Sequence, residues 1–281
     1  MRVAVTGASG QLGSALGAAL ALSHEVVPLS HHQLELGSAE TVARVVATGA
    51  DLVIHTAAYT NVDGCTRDPR HAYQINALGT RFVALACRRL AVPLVYISTN
   101  EVFAGTARSP YFEYAPTAPI NAYGHAKLAG ELAVREVLSD FYIVRVAWLF
   151  GGARNFVRTI LRLAANPPAT GLRMVADEVG NPTYAVDVAE AIASLIGTGN
   201  FFGTYHFVND GAASRYTFAR TILDLTGYAQ LPITPITLAE YVRESTPPTY
   251  TPLANVSGAA LGISLRPWQE ALGAYLATLG F

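Results

Sequence analysis

Tyr123 and Lys127 stand four residues apart in the run Tyr-Gly-His-Ala-Lys. On a helix that spacing places both side chains on one face, within reach of one bound molecule. A phenol beside an ammonium gives up its proton more readily, because the phenolate gains a positive neighbour. Such a tyrosine can exchange a proton with a substrate oxygen near neutral pH. Thr99 follows the apolar run 94–98 and can donate a hydrogen bond to the same oxygen. Alone, the pair more often describes a surface tyrosine beside a solvated lysine. Its meaning depends on the elements that would position it.

Those elements begin at the first residues. Val3 to Val5 form an apolar run, followed by Thr6-Gly7-Ala8-Ser9-Gly10-Gln11-Leu12-Gly13 and an Ala/Leu-rich helical pattern through Leu22. In the order strand, turn, helix, a G-x-x-G-x-x-G string reads as a phosphate cradle. Glycines admit close backbone approach to a diphosphate, and the helix start supplies free N–H groups and a favourable dipole. Val26 to Leu29 is the next strand. Ser30, His31 and His32 stand at its end, with no carboxylate before Glu35. An NAD site would place an acid there for the ribose hydroxyls. Its absence removes repulsion against a 2′-phosphate, and a histidine can pair with one, so the pattern leans toward NADP or toward either dinucleotide.

Asp51 to Ala58 reads as a buried strand ending in small residues, which leave room for a ligand at its carboxyl end. Tyr59 to Asp63 continues as a loop. Ala72 to Arg89 has the periodicity of one long helix containing Asn76. Leu94 to Ser98 is the fourth strand. The βαβα alternation predicts an α/β fold with a doubly wound parallel sheet of the Rossmann type. Tyr142 to Val146 adds a strand, Asn155 to Ala165 and Val186 to Ile196 read as helices, and Gly203 to Val208 as a strand rejoining the sheet. Arg215 to Thr226 is a helix with Ser214 as its cap. Prolines crowd Leu231 to Leu253, as in a loop-rich lobe that closes over substrate. We expect a dinucleotide-binding domain over 1–150 with a returning segment near 184–210, and a mainly substrate-binding lobe over 151–281.

Of the 281 residues, 51% are hydrophobic and 14% charged, and the formal net charge is −1. So low a charged share favours a large core over disorder. The charge balance gives no general attraction to nucleic acid or to an acidic membrane. Cys65 and Cys87 form neither a disulfide framework nor a zinc pattern. No secretory leader pattern and no apolar run of membrane-spanning length is visible. The expectation is a soluble cytoplasmic protein; a homodimer is left open.

The glycine string, the run His55-Thr56-Ala57-Ala58-Tyr59-Thr60-Asn61-Val62-Asp63, Ser98-Thr99 before Val102-Phe103, and Tyr123-x-x-x-Lys127-Leu128-x-Gly130-Glu131 together resemble the extended short-chain dehydrogenase/reductase family. Within it they are most similar to the dTDP-4-dehydrorhamnose reductases. Val144-Arg145-x-x-Trp148-Leu149-Phe150-Gly151, Asn155-Phe156, Asp177-x-x-Gly180-x-Pro182-Thr183 and Leu265-Arg266-Pro267-Trp268 extend the likeness over nearly the whole chain. The resemblance implies reduction of the 4-keto group of a dTDP-4-dehydro-6-deoxysugar by NADPH, with NADH as an alternative. By position, Thr99 polarises the keto oxygen, Tyr123 donates the proton, and Lys127 lowers its pKa and holds the nicotinamide ribose. Cofactor contacts fall on Gly7, Ser9, Gly10, Gln11 and Leu12, on Ser30 and His31, and on Ala57, Ala58, Tyr59, Asn76 and Ser98. Substrate contacts, besides Thr99 and Tyr123, fall on Val102, Phe103, Trp148, Asn155 and Pro182, with the Trp148 face against the sugar ring. Arg215, Arg243 and Arg266 are candidates for the diphosphate.

The chain also departs from the pattern. Asn100-Glu101 stands where the reductases read Asp-Tyr, and related dehydratases Asp-Glu. An amide does not titrate, so Asn100 cannot be a general acid and the dehydratase reading loses. Glu178 replaces a usual Gln, and Thr246-Pro247 an Arg-Pro pair. Ala15 occupies the position of a carboxylate through which some relatives hold magnesium, so no metal is expected. Two other readings stay open: a 4-ketoreductase for a different nucleotide deoxysugar, and a non-catalytic NADP-binding regulatory subunit of a methionine adenosyltransferase.

Overall fold

The computed structural model describes residues 1–281. Its first half alternates strand and helix: β1 (Arg2–Thr6), α1 (Gln11–Leu20), β2 (Glu25–Leu29), α2 (Glu40–Val46), β3 (Leu52–His55), α3 (Val62–Arg67), α4 (Pro69–Tyr73), α5 (Thr80–Leu90), β4 (Leu94–Thr99), α6 (Ala122–Val137) and β5 (Phe141–Val146). The second half holds β6 (Leu149–Phe150), α7 (Phe156–Ala165), β7 (Leu172–Val175), β8 (Val179–Gly180), β9 (Thr183–Tyr184), α8 (Ala185–Gly197), β10 (Gly203–His206), β11 (Ala213–Ser214), α9 (Arg215–Leu225), β12 (Ile233–Ile236) and α10 (Trp268–Ala277).

Six strands pair in the order β10-β5-β4-β3-β1-β2, every pair parallel. The strand order reverses between β1 and β3, where a doubly wound sheet opens its ligand crevice. Strands β3 and β4 are buried along their whole length, because helices cover both faces and leave no solvent side. On one face α1 and α8 pack through Leu12, Leu16, Val188 and Ile192. On the other, α2, α5 and α6 pack through Val42, Val45, Val83, Cys87 and Val134. A separate aromatic core joins α7, α9 and α10 around Phe150, Phe218, Trp268 and Tyr275. No helix is long and apolar enough to cross a membrane.

Two local expectations need correction. The long helix expected over Ala72–Arg89 is α4 and α5 joined by a π-helical turn, Gln74–Gly79. Such a turn carries an extra residue per repeat and shifts the side chains that follow it. Here it buries Asn76, whose side chain accepts from Tyr59 N at 2.8 Å and donates to Tyr59 O at 3.0 Å. The loop expected through Asp63 becomes α3, because the Asn61 side chain accepts from Gly64 N at 2.9 Å and starts a helix. The strand at Gly203 does rejoin the sheet beside β5, and Ser214 does cap α9.

Candidate active site

A cleft of about 690 Å³ runs along the carboxyl edge of the sheet. Gly7, Ser9, Gly10, Gln11 and Leu12 line one end; Ser30 and His31 follow; Ala57, Ala58 and Tyr59 continue; and Ser98, Tyr123 and Lys127 close the other end. Parallel strands bring together residues that lie more than a hundred positions apart in the sequence.

The glycine turn fits a dinucleotide diphosphate. Gly7 has φ +68°, and a Cβ there would stand 2.8 Å from the Ala57 backbone. A Cβ on Gly13 would collide with the Gly7 carbonyl. No side chain caps α1 and no acid lies in its first turn, so its leading N–H groups and dipole are free for an anion. Gly152 N donates to Gln11 Oε1 at 3.3 Å, tying the β6 loop across the cradle.

At the far end, α6 carries Tyr123 and Lys127 on one face. The Asn121 side chain caps this helix by accepting from Gly124 N at 2.8 Å. Thr99, at the end of β4, is 6% exposed. Its hydroxyl donates to Asn100 Oδ1 at 3.2 Å and accepts from Glu101 N at 3.2 Å. Asn100 Nδ2 in turn donates to Thr251 Oγ1 at 2.6 Å, so this amide fastens the proline-rich lobe to the catalytic strand.

The electrostatics correct one expectation. The Tyr123 phenol is held above its ordinary value, first by burial and then by the Glu101 carboxylate, while the Thr99 hydroxyl pulls the other way. Lys127 does not offset this rise. Burial brings the lysine itself down to about 7, opposed by Glu131. Its ammonium donates to Ile97 O at 2.6 Å and lies 4.2 Å from the centroid of the Tyr96 ring. The phenol is therefore stored in its protonated form, which is the form a proton donor needs.

Other expected contacts stand elsewhere. Asn76 does not line the cleft; it is 1% exposed and fixes the backbone of Tyr59, which does. Val102 and Phe103 are fully buried, with Phe103 stacked on Tyr111 at 4.3 Å, so their side chains are not open to the cleft. Pro182 is buried as well. Asn155 caps α7 and donates to Gly152 O and to Tyr275 Oη, which leaves its amide engaged within the protein. Trp148, at φ +38°, lies between Gly180 and Arg215, whose guanidinium carbon is 3.5 Å from the ring centroid. Its indole face thus meets an arginine. Arg266 is locked in a two-pronged pair with Asp187, at 2.9 and 2.7 Å, below the α10 start. Arg243 pairs with Asp63 at 3.2 Å and Arg215 with Glu178 at 2.8 Å.

The cleft also holds residues that the motifs did not single out. Leu34, Glu35 and Leu36 line it beyond Ser30 and His31, and His71 and Ile75 line its wall. Glu35 was visible as the first acid after β2; the wall residues carry no local signature. Asn121 could have been read as a helix cap before Ala122-Tyr123.

Comparison with known proteins agrees with this geometry. The family model described as RmlD substrate binding domain matches residues 1–281. A dTDP-4-dehydrorhamnose reductase of Mycolicibacterium smegmatis is 38% identical over 276 residues, covering 96% of this chain and 84% of that protein. The crystal structure of a dTDP-4-dehydrorhamnose reductase from Clostridium acetobutylicum superposes with a TM-score of 0.94 at 35% identity, covering 100% of both chains. That of the Bacillus anthracis dTDP-4-dehydrorhamnose reductase, solved in complex with NADP, gives 0.92 at 35% identity and 99% coverage of each. With its crevice, glycine cradle and Tyr-Lys helix in one frame, the chain belongs to the RmlD substrate-binding-domain family.

Proposed function

We propose that the protein reduces the 4-keto group of dTDP-4-dehydrorhamnose to give dTDP-L-rhamnose, using NADPH and accepting NADH. The observation that carries this reading is the placement of Tyr123 and Lys127 in the same cleft as the glycine cradle, with Thr99 beside the phenol. Residues 1–150 with the returning segment near 184–210 would hold the dinucleotide, and 151–281 mainly the sugar nucleotide. Gly7, Ser9, Gly10, Gln11 and Leu12 would take the diphosphate, Ser30 and His31 the adenosine ribose, and Lys127 the nicotinamide ribose. When bound, the dinucleotide supplies the hydride.

The chain supplies the rest. Negative charge grows on the keto oxygen as the carbonyl is reduced. The Thr99 hydroxyl turns from Asn100 Oδ1 to that oxygen, and the Tyr123 phenol donates to it and then gives up its proton. Lys127, one turn away on α6, stabilises the phenolate left behind. Asn100 cannot act as a general acid, which separates this site from a dehydratase. The intact Thr99, Tyr123 and Lys127 speak against a purely regulatory role. Such an enzyme would work in the cytoplasm, where sugar nucleotides are made. The test is to mix purified protein, NADPH and the 4-keto sugar nucleotide. Loss of reduced-nicotinamide absorbance with formation of the rhamnose epimer supports the reading. No oxidation, or the other epimer, removes it.

A further inference from the structure

Glu101 has no part in the reaction just described, yet it touches both catalytic elements. Its backbone N–H donates to Thr99 Oγ1 at 3.2 Å. Its carboxylate Oε2 accepts from Asn121 Nδ2 at 2.6 Å. Asn121 Oδ1 accepts from Gly124 N at 2.8 Å and so starts the helix of Tyr123 and Lys127. The same Asn121 amide donates to Thr246 O of the proline-rich lobe at 3.2 Å. The Glu101 carbonyl lies against Gly124 so closely that a Cβ there would collide with it.

We infer that Glu101 is a positioning residue for the catalytic tyrosine: its carboxylate fixes which way the Asn121 amide faces, and thereby holds the first turn of α6 against the end of β4. This rests on the keto-reductase reading for its kinetic consequences only. A carboxylate can only accept, so the amide must present Nδ2 to Glu101 and Oδ1 to Gly124. A glutamine can donate, which lets the amide turn over and release Gly124 N–H. The cap itself would survive a serine at position 121, whose hydroxyl accepts from the same N–H. Misplacing a reacting group by a fraction of a side chain costs rate without removing it.

The carboxylate has a second effect on the tyrosine. The groups facing Tyr123 are Glu101, the Thr99 hydroxyl, Tyr96 on β4 and Cys65 on α3, with Lys127 one turn along the helix. Those facing Glu101 are Asn121 at the start of α6, Cys65 on α3, and Glu178, Arg215 and Arg243 from the lobe. A negative neighbour disfavours the phenolate, so Glu101 helps keep the donor protonated. Its removal would let the phenol ionise at lower pH, and a merely structural residue would not do that.

The experiment compares Glu101→Gln, Glu101→Asp, Asn121→Ser and the double variant Glu101→Gln/Asn121→Ser. Amide hydrogen exchange at Gly124 accelerates in E101Q and stays slow in N121S, with no dependence on turnover. With NADPH and the 4-keto sugar nucleotide, kcat falls on the order of tenfold to a hundredfold in E101Q and in N121S, and the double variant is no worse than either. The alkaline limb of the kcat/KM profile moves to lower pH in E101Q. In E101D, which keeps the charge but shortens the reach, that limb stays and kcat falls. If E101Q is unstable, E101D and N121S alone carry the test through their kcat losses and the E101D limb. Unchanged exchange at Gly124 with wild-type kcat and pH profile in E101Q overturns the inference, as do additive losses in the double variant. If wild-type protein leaves the keto sugar unreduced, the activity reading fails while the exchange at Gly124 still decides the role of Glu101.

Discussion

Arg145 and Glu131 form a two-pronged ion pair that is almost wholly buried, with side-chain exposures of 4% and 1%. Arg145 Nε and Nη2 donate to the two carboxylate oxygens at 2.8 and 2.7 Å, and Ser98 Oγ adds a third bond at 2.6 Å. The pair joins β5 to α6 and β4, the elements that carry the candidate catalytic residues. Removing one partner strands a buried charge. We therefore expect Arg145→Met or Glu131→Leu to cost about 3–5 kcal/mol of folding stability, with the double variant much closer to wild type than the sum of the two. Urea denaturation measures this directly.

Arg215 presents a different kind of pairing. Its Nε and Nη2 both bind Glu178 Oε1, at 3.0 and 2.8 Å, while its plane covers Trp148. Nη1 makes no hydrogen bond within the protein, which leaves it free for an anion. A charge-assisted hydrogen bond is worth about 1.5–3 kcal/mol. Arg215→Met should raise KM for the sugar nucleotide by about 10- to 100-fold, leave kcat within a few fold, and leave NADPH affinity unchanged. Trp148→Ala should show the same KM effect in weaker form, because it removes the plate that holds the guanidinium.

Two buried histidines set an acid limit on stability. His55 accepts from Thr6 Oγ1 at Nδ1 (2.6 Å) and donates from Nε2 to Thr80 Oγ1 at 3.2 Å, since that hydroxyl donates to Asn76 O. Burial and then Lys127 push its pKa down to about 3. His206 is lowered to about 3 by burial and by Arg145, although its bonds to the Ala254 and Tyr111 carbonyls oppose this. In the unfolded chain both would titrate near pH 6.5. Between the two values the unfolded state binds more protons, so stability is complete above about pH 6.5 and falls as pH drops toward 3. The slope should approach ~1.4 kcal/mol per pH unit for each histidine. Thermal unfolding of His206→Gln across this range should show a shallower slope than wild type.

Lys127 sits near half-protonation at neutral pH, because burial lowers it to about 7. An anionic dinucleotide in the cleft favours the ammonium and raises that value. Binding of NADPH between about pH 7 and 9 should therefore take up as much as ~1 proton. Calorimetry in two buffers of different ionisation heat measures the uptake, and Lys127→Met should abolish it.

The sheet and the glycine cradle were legible because their signals are local. Apolar runs such as Leu52 to His55 are buried on both faces, and Gly7 and Gly13 are needed where the backbone crowds. The Tyr123-Lys127 helix was legible from its spacing. The π turn was not, since a π stretch over Gln74–Gly79 leaves the apolar periodicity of Ala72 to Arg89 nearly intact. The roles of Trp148, Arg215 and Glu101 depend on partners far apart in the chain: Glu178 is 37 residues from Arg215 and Asn121 20 from Glu101. The net rise at Tyr123 was not legible because spacing reveals the lysine beside it, whereas burial and Glu101 act through the fold.

The most direct test of the account is the turnover of Tyr123→Phe. The substitution removes one oxygen, so NADPH affinity measured by fluorescence titration should stay near wild type. With the 4-keto sugar nucleotide, kcat should fall by at least ~10²-fold, the contribution of a placed acid to such a step. A Tyr123→Phe protein that binds NADPH and reduces the sugar at the wild-type rate would contradict the assignment of the phenol as proton donor.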